Sequence, residues 1–201
     1  VAGSGAPQVG VLALQGDFRE HAAVLRGLGA DVVHVRRPEE LALIDGLVIP
    51  GGESSVMDKL SRTFGLADPL KDAIASGLPV YGTCAGLIML ADRILEGITG
   101  QQTLGGLDVE VRRNAFGSQL DSFETDIDIP VLGAEPVHAV FIRAPIVDSV
   151  GPNATALAAL EDGRVVAVEQ GNLLGTSFHP EVTGDIRFHA YFLEKVRTRA
   201  R

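Results

Sequence analysis

Pro79-Val80-Tyr81-Gly82-Thr83-Cys84-Ala85-Gly86-Leu87-Ile88 packs three instructions into ten residues. Pro79 to Gly82 reads as a brief apolar strand. Leu87, Ile88, Leu90 and Ala91 beyond it read as one side of a helix. Between them stands a cysteine flanked by two glycines, the G-x-nucleophile-x-G pattern of a tight strand-to-helix elbow with cysteine in the serine position. A nucleophile at such a tip sits on a strained backbone, and its neighbours must be small for the chain to pass. The helix that follows points its positive end at the sulfur, which favours the thiolate. A buried cysteine acting as a small hydrophobe is the ordinary alternative. The elbow tips the reading toward a nucleophile.

Working upstream, strands and helices alternate. Val9 to Leu14 is an apolar strand, turned by Gln15-Gly16-Asp17. Phe18, Ala22, Leu25 and Leu28 then recur at helical spacing, and Gly29 closes that helix. Asp31 to Val35 is a second strand. Leu47 to Ile49 is a third, running into Pro50-Gly51-Gly52. Ser55 and Asp58 have the spacing of a helix-starting cap. Pro69 suits the first turn of a helix reaching about Ser76. This alternation predicts a parallel sheet covered on both faces. Downstream, residues 107–112, 123–129, 137–142, 165–168 and 173–178 read as strands with few helices between them. Asp162-Gly163 and Gly171-Asn172 supply turns. A helix over 185–196 closes the chain. The expected fold is a single α/β domain over residues 9–201, with a mixed, mostly parallel sheet and helices on both faces, behind a flexible lead-in at 1–8.

Composition limits what such a domain does. The chain has 201 residues, 46% hydrophobic and 21% charged, enough for a core without staples, and its one cysteine excludes an internal disulfide. The formal net charge of -9 argues against nucleic acid or an anionic membrane as partner. No apolar run approaches the roughly 18 residues of a membrane span, and Val1 to Pro7 has no basic n-region. The cytoplasm is the expected location.

A nucleophile needs a base, and the base an orienting partner. Of His21, His34, His138, His179 and His189, His179 stands out. It follows an apolar strand, at the sheet rim where α/β sites lie, and opens His179-Pro180-Glu181. Glu181 can hold the imidazole in the required tautomer. The other four read as surface or satisfied core residues; His21 falls beside the apolar face of the first helix. The Ala85 amide is one natural oxyanion donor, and Pro50-Gly51-Gly52-Glu53-Ser54 is the natural source of another. No C-x-x-C or H-E-x-x-H spacing occurs, so no metal is expected. The first turn lacks G-x-G-x-x-G, which excludes a Rossmann nucleotide binder.

Taken together, these residues resemble the class I, triad-type glutamine amidotransferases. Within that group the match is to the glutaminase subunits of pyridoxal 5'-phosphate synthase. It is carried by Leu14-Gln15-Gly16, Pro50 to Ser55, Gly82 to Leu87, Arg113-Asn114-Ala115-Phe116-Gly117, Phe141-Ile142-Arg143-Ala144-Pro145 and Ser177 to Glu181, in that order over residues 9–197. The resemblance implies L-glutamine as substrate, Cys84, His179 and Glu181 as catalytic residues, and Gly52 and Ala85 as oxyanion donors. It further implies Gly52, Glu53, Ser54, Arg113, Ile142 and Arg143 as glutamine-binding residues. The partner implied is a (β/α)8-barrel synthase subunit in a hetero-oligomer, with Gln15 near the interface and no cofactor in this chain. Ammonia would pass to that barrel, and the glutaminase would be weak until the barrel docks. Because the Gly51-Gly52 peptide is free to flip, the oxyanion hole of the isolated chain is expected to be incomplete. One departure is Ser118-Gln119, where the family pattern leads to Arg-Gln; it concerns that loop and not the triad. A γ-glutamyl hydrolase of the same fold would share the elbow and histidine but lack the Arg113 and Arg143 segments. A non-catalytic regulatory subunit would not need an intact Cys84, His179 and Glu181.

Overall fold

The computed structural model describes residues 5–113 and 122–200. The chain runs β1 (Gln8–Leu12), α1 (Phe18–Gly27), β2 (Asp31–Val35), β3 (Gly46–Ile49), α2 (Ser54–Thr63), α3 (Ala67–Ala75), β4 (Val80–Thr83), α4 (Ala85–Leu90), β5 (Ala91–Leu95) and β6 (Leu107–Arg112). It continues with β7 (Ser122–Ile127), β8 (Val137–Ile142), β9 (Ile146–Val150), β10 (Thr155–Ala159), β11 (Val165–Gln170), β12 (Leu173–Thr176), α5 (Pro180–Thr183) and α6 (Arg187–Arg199).

The main sheet has the order β2-β1-β3-β4-β12-β11-β9-β6-β5, with β10 paired to β11. From β2 to β12 every pairing is parallel, as is β5 with β6, while β12-β11, β11-β9 and β9-β6 are antiparallel. β7 and β8 form a separate antiparallel ribbon. The central strands are buried on both faces, and alternate residues feed two cores. Leu47, Ile49 and Val80 pack with Met57 of α2, Leu70 of α3 and Leu87 of α4 on one face. Val9, Val11, Val48 and Tyr81 pack with Leu25 of α1 and Phe188 and Phe192 of α6 on the other. The expected mixed α/β sheet with helices on both faces is therefore what the chain adopts. No helix among the described residues is long and apolar enough to cross a membrane.

Several element boundaries differ from the sequence reading. β1 starts at Gln8, inside the expected lead-in, and ends at Leu12. The helix after Cys84 stops at Leu90, and Ala91, expected within it, instead opens β5, pairing with Leu107 of β6. β9 and β10 were not foreseen. Ser55 does not cap α2: the Glu53 side chain is the cap, accepting a bond from the Ser55 N–H at 3.1 Å. Asp58 turns instead to Arg62 and to the Gln102 N–H. The last strand stops at Thr176, and the closing helix starts at Arg187 after the short α5. Asn114 to Gly117 and the Ser118-Gln119 departure lie outside the described residues.

Candidate active site

The functional side chains gather where β4 and β12 end together. These strands pair in parallel with Thr83 opposite Thr176, so Cys84 and the Ser177-Phe178-His179 run leave the sheet side by side. The Cys84 N–H donates to the Thr176 carbonyl at 2.8 Å, tying the elbow cysteine to the strand that leads to His179. Cys84 has φ 52 and ψ -105, the strained turn that the elbow pattern requires. Its glycines are obligatory. A Cβ on Gly82 would strike the Gly86 carbonyl, and one on Gly86 the Ile49 carbonyl of β3.

His179 Nδ1 lies 2.7 Å from Glu181 Oε1, and both side chains are almost wholly buried. Burial opposes a charged imidazole. Hydrogen bonds to Cys84 and Glu181, together with the negative charge facing it from both, outweigh that and raise its pKa to about 10. His179 therefore holds its proton at neutral pH. The Asp17 carboxylate stands 3.7 Å from the same Nδ1. Among the described residues, Asp17, His179 and Glu181 are the one group of acids and histidines close enough to share a metal ion, and two of these three are already bonded to each other.

A cleft of about 350 Å³ opens over Cys84, lined also by Gly52, Glu53, Ser54, Ala85, Arg113, Ile142, Arg143 and His179. The expected oxyanion and substrate-binding residues thus share one wall system with Cys84, while Glu181 sits behind His179. Gly52 has φ +139, and a Cβ there would run into the Gln15 side chain. Gln15 does not line the cleft. It holds the loop, its Oε1 accepting the Glu53 N–H at 3.0 Å, while its Nε2 is buried without a partner among the described residues.

The two arginines differ. The Arg113 guanidinium is occupied, donating to Glu53 Oε1 at 2.8 Å and to Gln101 Oε1 at 2.9 Å. Burial raises the Glu53 pKa, but bonds from Ser55 and the charges of Arg113 and Arg143 pull it below the usual carboxylate range. Arg143 lines the cleft from a left-handed backbone (φ 44), with no carboxylate paired to it among the described residues. Sequence reasoning missed Asp17 and Ile88 as lining residues. The position of Asp17 directly after Gln15-Gly16, in the loop beyond β1, was the available signal.

The sequence pattern of the SNO glutamine amidotransferase family matches residues 11–198. The chain belongs to this family. A relative from Leifsonia xyli subsp. xyli, named pyridoxal 5'-phosphate synthase subunit PdxT, is 74% identical over 98% of this chain and 99% of its own length. The protein of that name from Clavibacter sepedonicus is 70% identical over 97% of this chain and 93% of its own. A crystal structure described as a glutamine amidotransferase superposes with a TM-score of 0.87 at 47% identity, covering 94% of this chain and 98% of that one. A Thermoplasma acidophilum protein described as a GMP synthase subunit superposes at TM-score 0.71 with 18% identity, a likeness of fold alone. The elbow cysteine, the loop after β3 and the histidine after β12 thus belong to a glutamine amidotransferase of the SNO family.

Proposed function

We propose that this chain is the glutaminase subunit of a pyridoxal 5'-phosphate synthase, and that it hydrolyses L-glutamine with Cys84, His179 and Glu181. The observation that carries the reading is the 2.7 Å bond between Glu181 and the His179 imidazole, which lines the same cleft as Cys84. The Cys84 sulfur attacks the side-chain amide carbon of glutamine. The Gly52 and Ala85 amides take the charge of the tetrahedral oxygen, where preorganised donors act most strongly. His179 delivers its proton to the departing nitrogen, ammonia leaves, and a glutamyl thioester remains. Water, deprotonated by His179, then cleaves the thioester to glutamate and restores the sulfur. Glu181 fixes the imidazole through the bond to Nδ1. Arg143, with no carboxylate paired to it among the described residues, holds the α-carboxylate of the substrate, while Arg113 braces Glu53 and Gln101.

The ammonia goes to a (β/α)8-barrel synthase subunit docked over the cleft, within the cytoplasm. Relatives named as subunits of pyridoxal 5'-phosphate synthase support that destination. Gln15, holding the Gly52–Glu53 turn, couples the docking to the oxyanion loop. The test is glutamate release from glutamine by the chain alone and with a purified synthase barrel, with Cys84→Ala as control. Activity that rises with the barrel and vanishes in the variant is expected. Equal activity with and without the barrel overturns the coupling, and activity surviving in Cys84→Ala overturns the nucleophile.

A further inference from the structure

Behind the triad runs a second line of buried polar groups that the reaction above leaves unused. His21 of α1 and His189 of α6 are both fully buried, and His21 Nδ1 lies 2.8 Å from His189 Nε2. The other nitrogen, His21 Nε2, lies 3.0 Å from Thr83 Oγ1 and 3.6 Å from Glu181 Oε1. That oxygen is the one bonded to His179. A single imidazole therefore abuts both the residue before the nucleophile and the carboxylate that orients the base. Glu181 Oε2 is buried without a partner, so among the described residues the carboxylate is held through Oε1 alone.

The bonding pattern also selects a tautomer. Among the described residues, His189 Nδ1 is buried without a partner. If His189 carried its proton there, an N–H would be buried with no acceptor, a costly arrangement. With the proton on Nε2 instead, His189 donates to His21 Nδ1. His21 must then carry its own proton on Nε2, aimed at Thr83 and Glu181. Both rings stay neutral. Burial, then the nearby His189 and His179, hold His21 well below its usual pKa, and burial holds His189 at about 4 against the opposing charge of Asp185. The groups facing His21 are thus Thr83 and the edge-on Tyr81 ring from β4, Glu181 from α5, His179 before it and His189 from α6.

We propose that His21 is a positioning residue for glutamine hydrolysis: its Nε2–H donates to Thr83 Oγ1 and lies against Glu181 Oε1 at 3.6 Å, a contact that keeps Glu181, and through it His179, in place beside Cys84, and His189 sets the tautomer that makes this possible. The proposal rests on the triad reading given above. It is tested in the full chain with the synthase barrel present, by steady-state glutaminase kinetics and melting temperature. His21→Gln can place an amide N–H close to the lost Nε2–H. His21→Asn is polar but too short to reach Glu181, and His21→Leu has no donor. A tenfold or larger fall in kcat for the Leu and Asn variants, with KM within twofold and most of kcat restored by Gln, is the expected result. Equal kcat for Gln and Asn overturns the proposal, as does a loss in kcat that only tracks melting temperature. Should the Leu variant fail to fold, the contrast between Gln and Asn decides the question by itself. Cys84→Ala in the same series separates the two ideas, since activity surviving there removes the triad itself.

Discussion

At the residue scale, the proposed chemistry turns on how Glu181 biases His179. The carboxylate raises the imidazole pKa by hydrogen bond and by charge. Glu181→Gln preserves shape and removes charge, so the His179 pKa falls. Because the proposed reaction has the protonated imidazole hand its proton to the leaving nitrogen, the alkaline limb of kcat/KM moves to lower pH. A loss of roughly a hundredfold in kcat is expected from misplacing a general acid–base group. A pH–rate profile measured with the barrel present checks both. Arg143 predicts a different signature. Losing a charge-assisted pair to the substrate carboxylate costs about 1.5–3 kcal/mol, so Arg143→Ala raises KM for glutamine by roughly ten- to a hundredfold with a smaller effect on kcat. A variant with unchanged KM would assign the α-carboxylate elsewhere.

At the scale of elements, the elbow works because β4 and α4 meet with no room to spare. The Gly86 carbonyl stands where a Gly82 Cβ would lie, and the Ile49 carbonyl where a Gly86 Cβ would lie. Those obstacles are backbone and cannot rotate away. Gly86→Ala therefore destabilises by at least about 3 kcal/mol, whereas Gly29→Ala, with φ +86 but open space around it, costs only about 1–2 kcal/mol in backbone strain. Urea unfolding of the two variants measures the difference. The same crowding is why this element was legible in the sequence, since two glycines around one polar residue, between a strand and a helix, suit little besides a tight turn. β5 was not legible. Ala91 continues the apolar run of α4, and only its pairing with Leu107 turns it into a strand. β9 and β10 are short and partly exposed, with weak alternation, and become strands by pairing with β6 and β11. The α2 cap was misplaced because Glu53 and Ser55 both offer a suitable oxygen, and the turn after Gly52 presents Glu53.

Across the whole molecule, two neutral imidazoles in the core tie stability to pH. His189 is held at about 4, against 6.5 for a free histidine. Between those values the unfolded chain binds a proton that the folded chain refuses, so stability falls as pH drops from about 6.5 toward 4, by an amount on the order of 3 kcal/mol. Melting temperature measured across that window should fall more steeply for the native chain than for His189→Gln. These histidines also mark the limit of what a linear reading could reach. Cys84 and His179 sit in motifs whose neighbours give them away. His21 looked like an ordinary residue beside an apolar face, and its place behind Glu181 arises only when α1 and α6 pack on the same side of the sheet. Asp17 joins the cleft for a similar reason, its N–H bonded to the Gly51 carbonyl of another loop at 3.3 Å.

The pairing of β4 with β12 has a consequence in time. During synthesis Cys84 leaves the ribosome well before β12 and the histidine beyond it. Until that last strand slides in beside β4, the sulfur has no base, no carboxylate behind it and no neighbour to receive its amide hydrogen. On the proposed mechanism the growing chain thus carries its nucleophile in a mute form, and the chemistry switches on only when the sheet is closed.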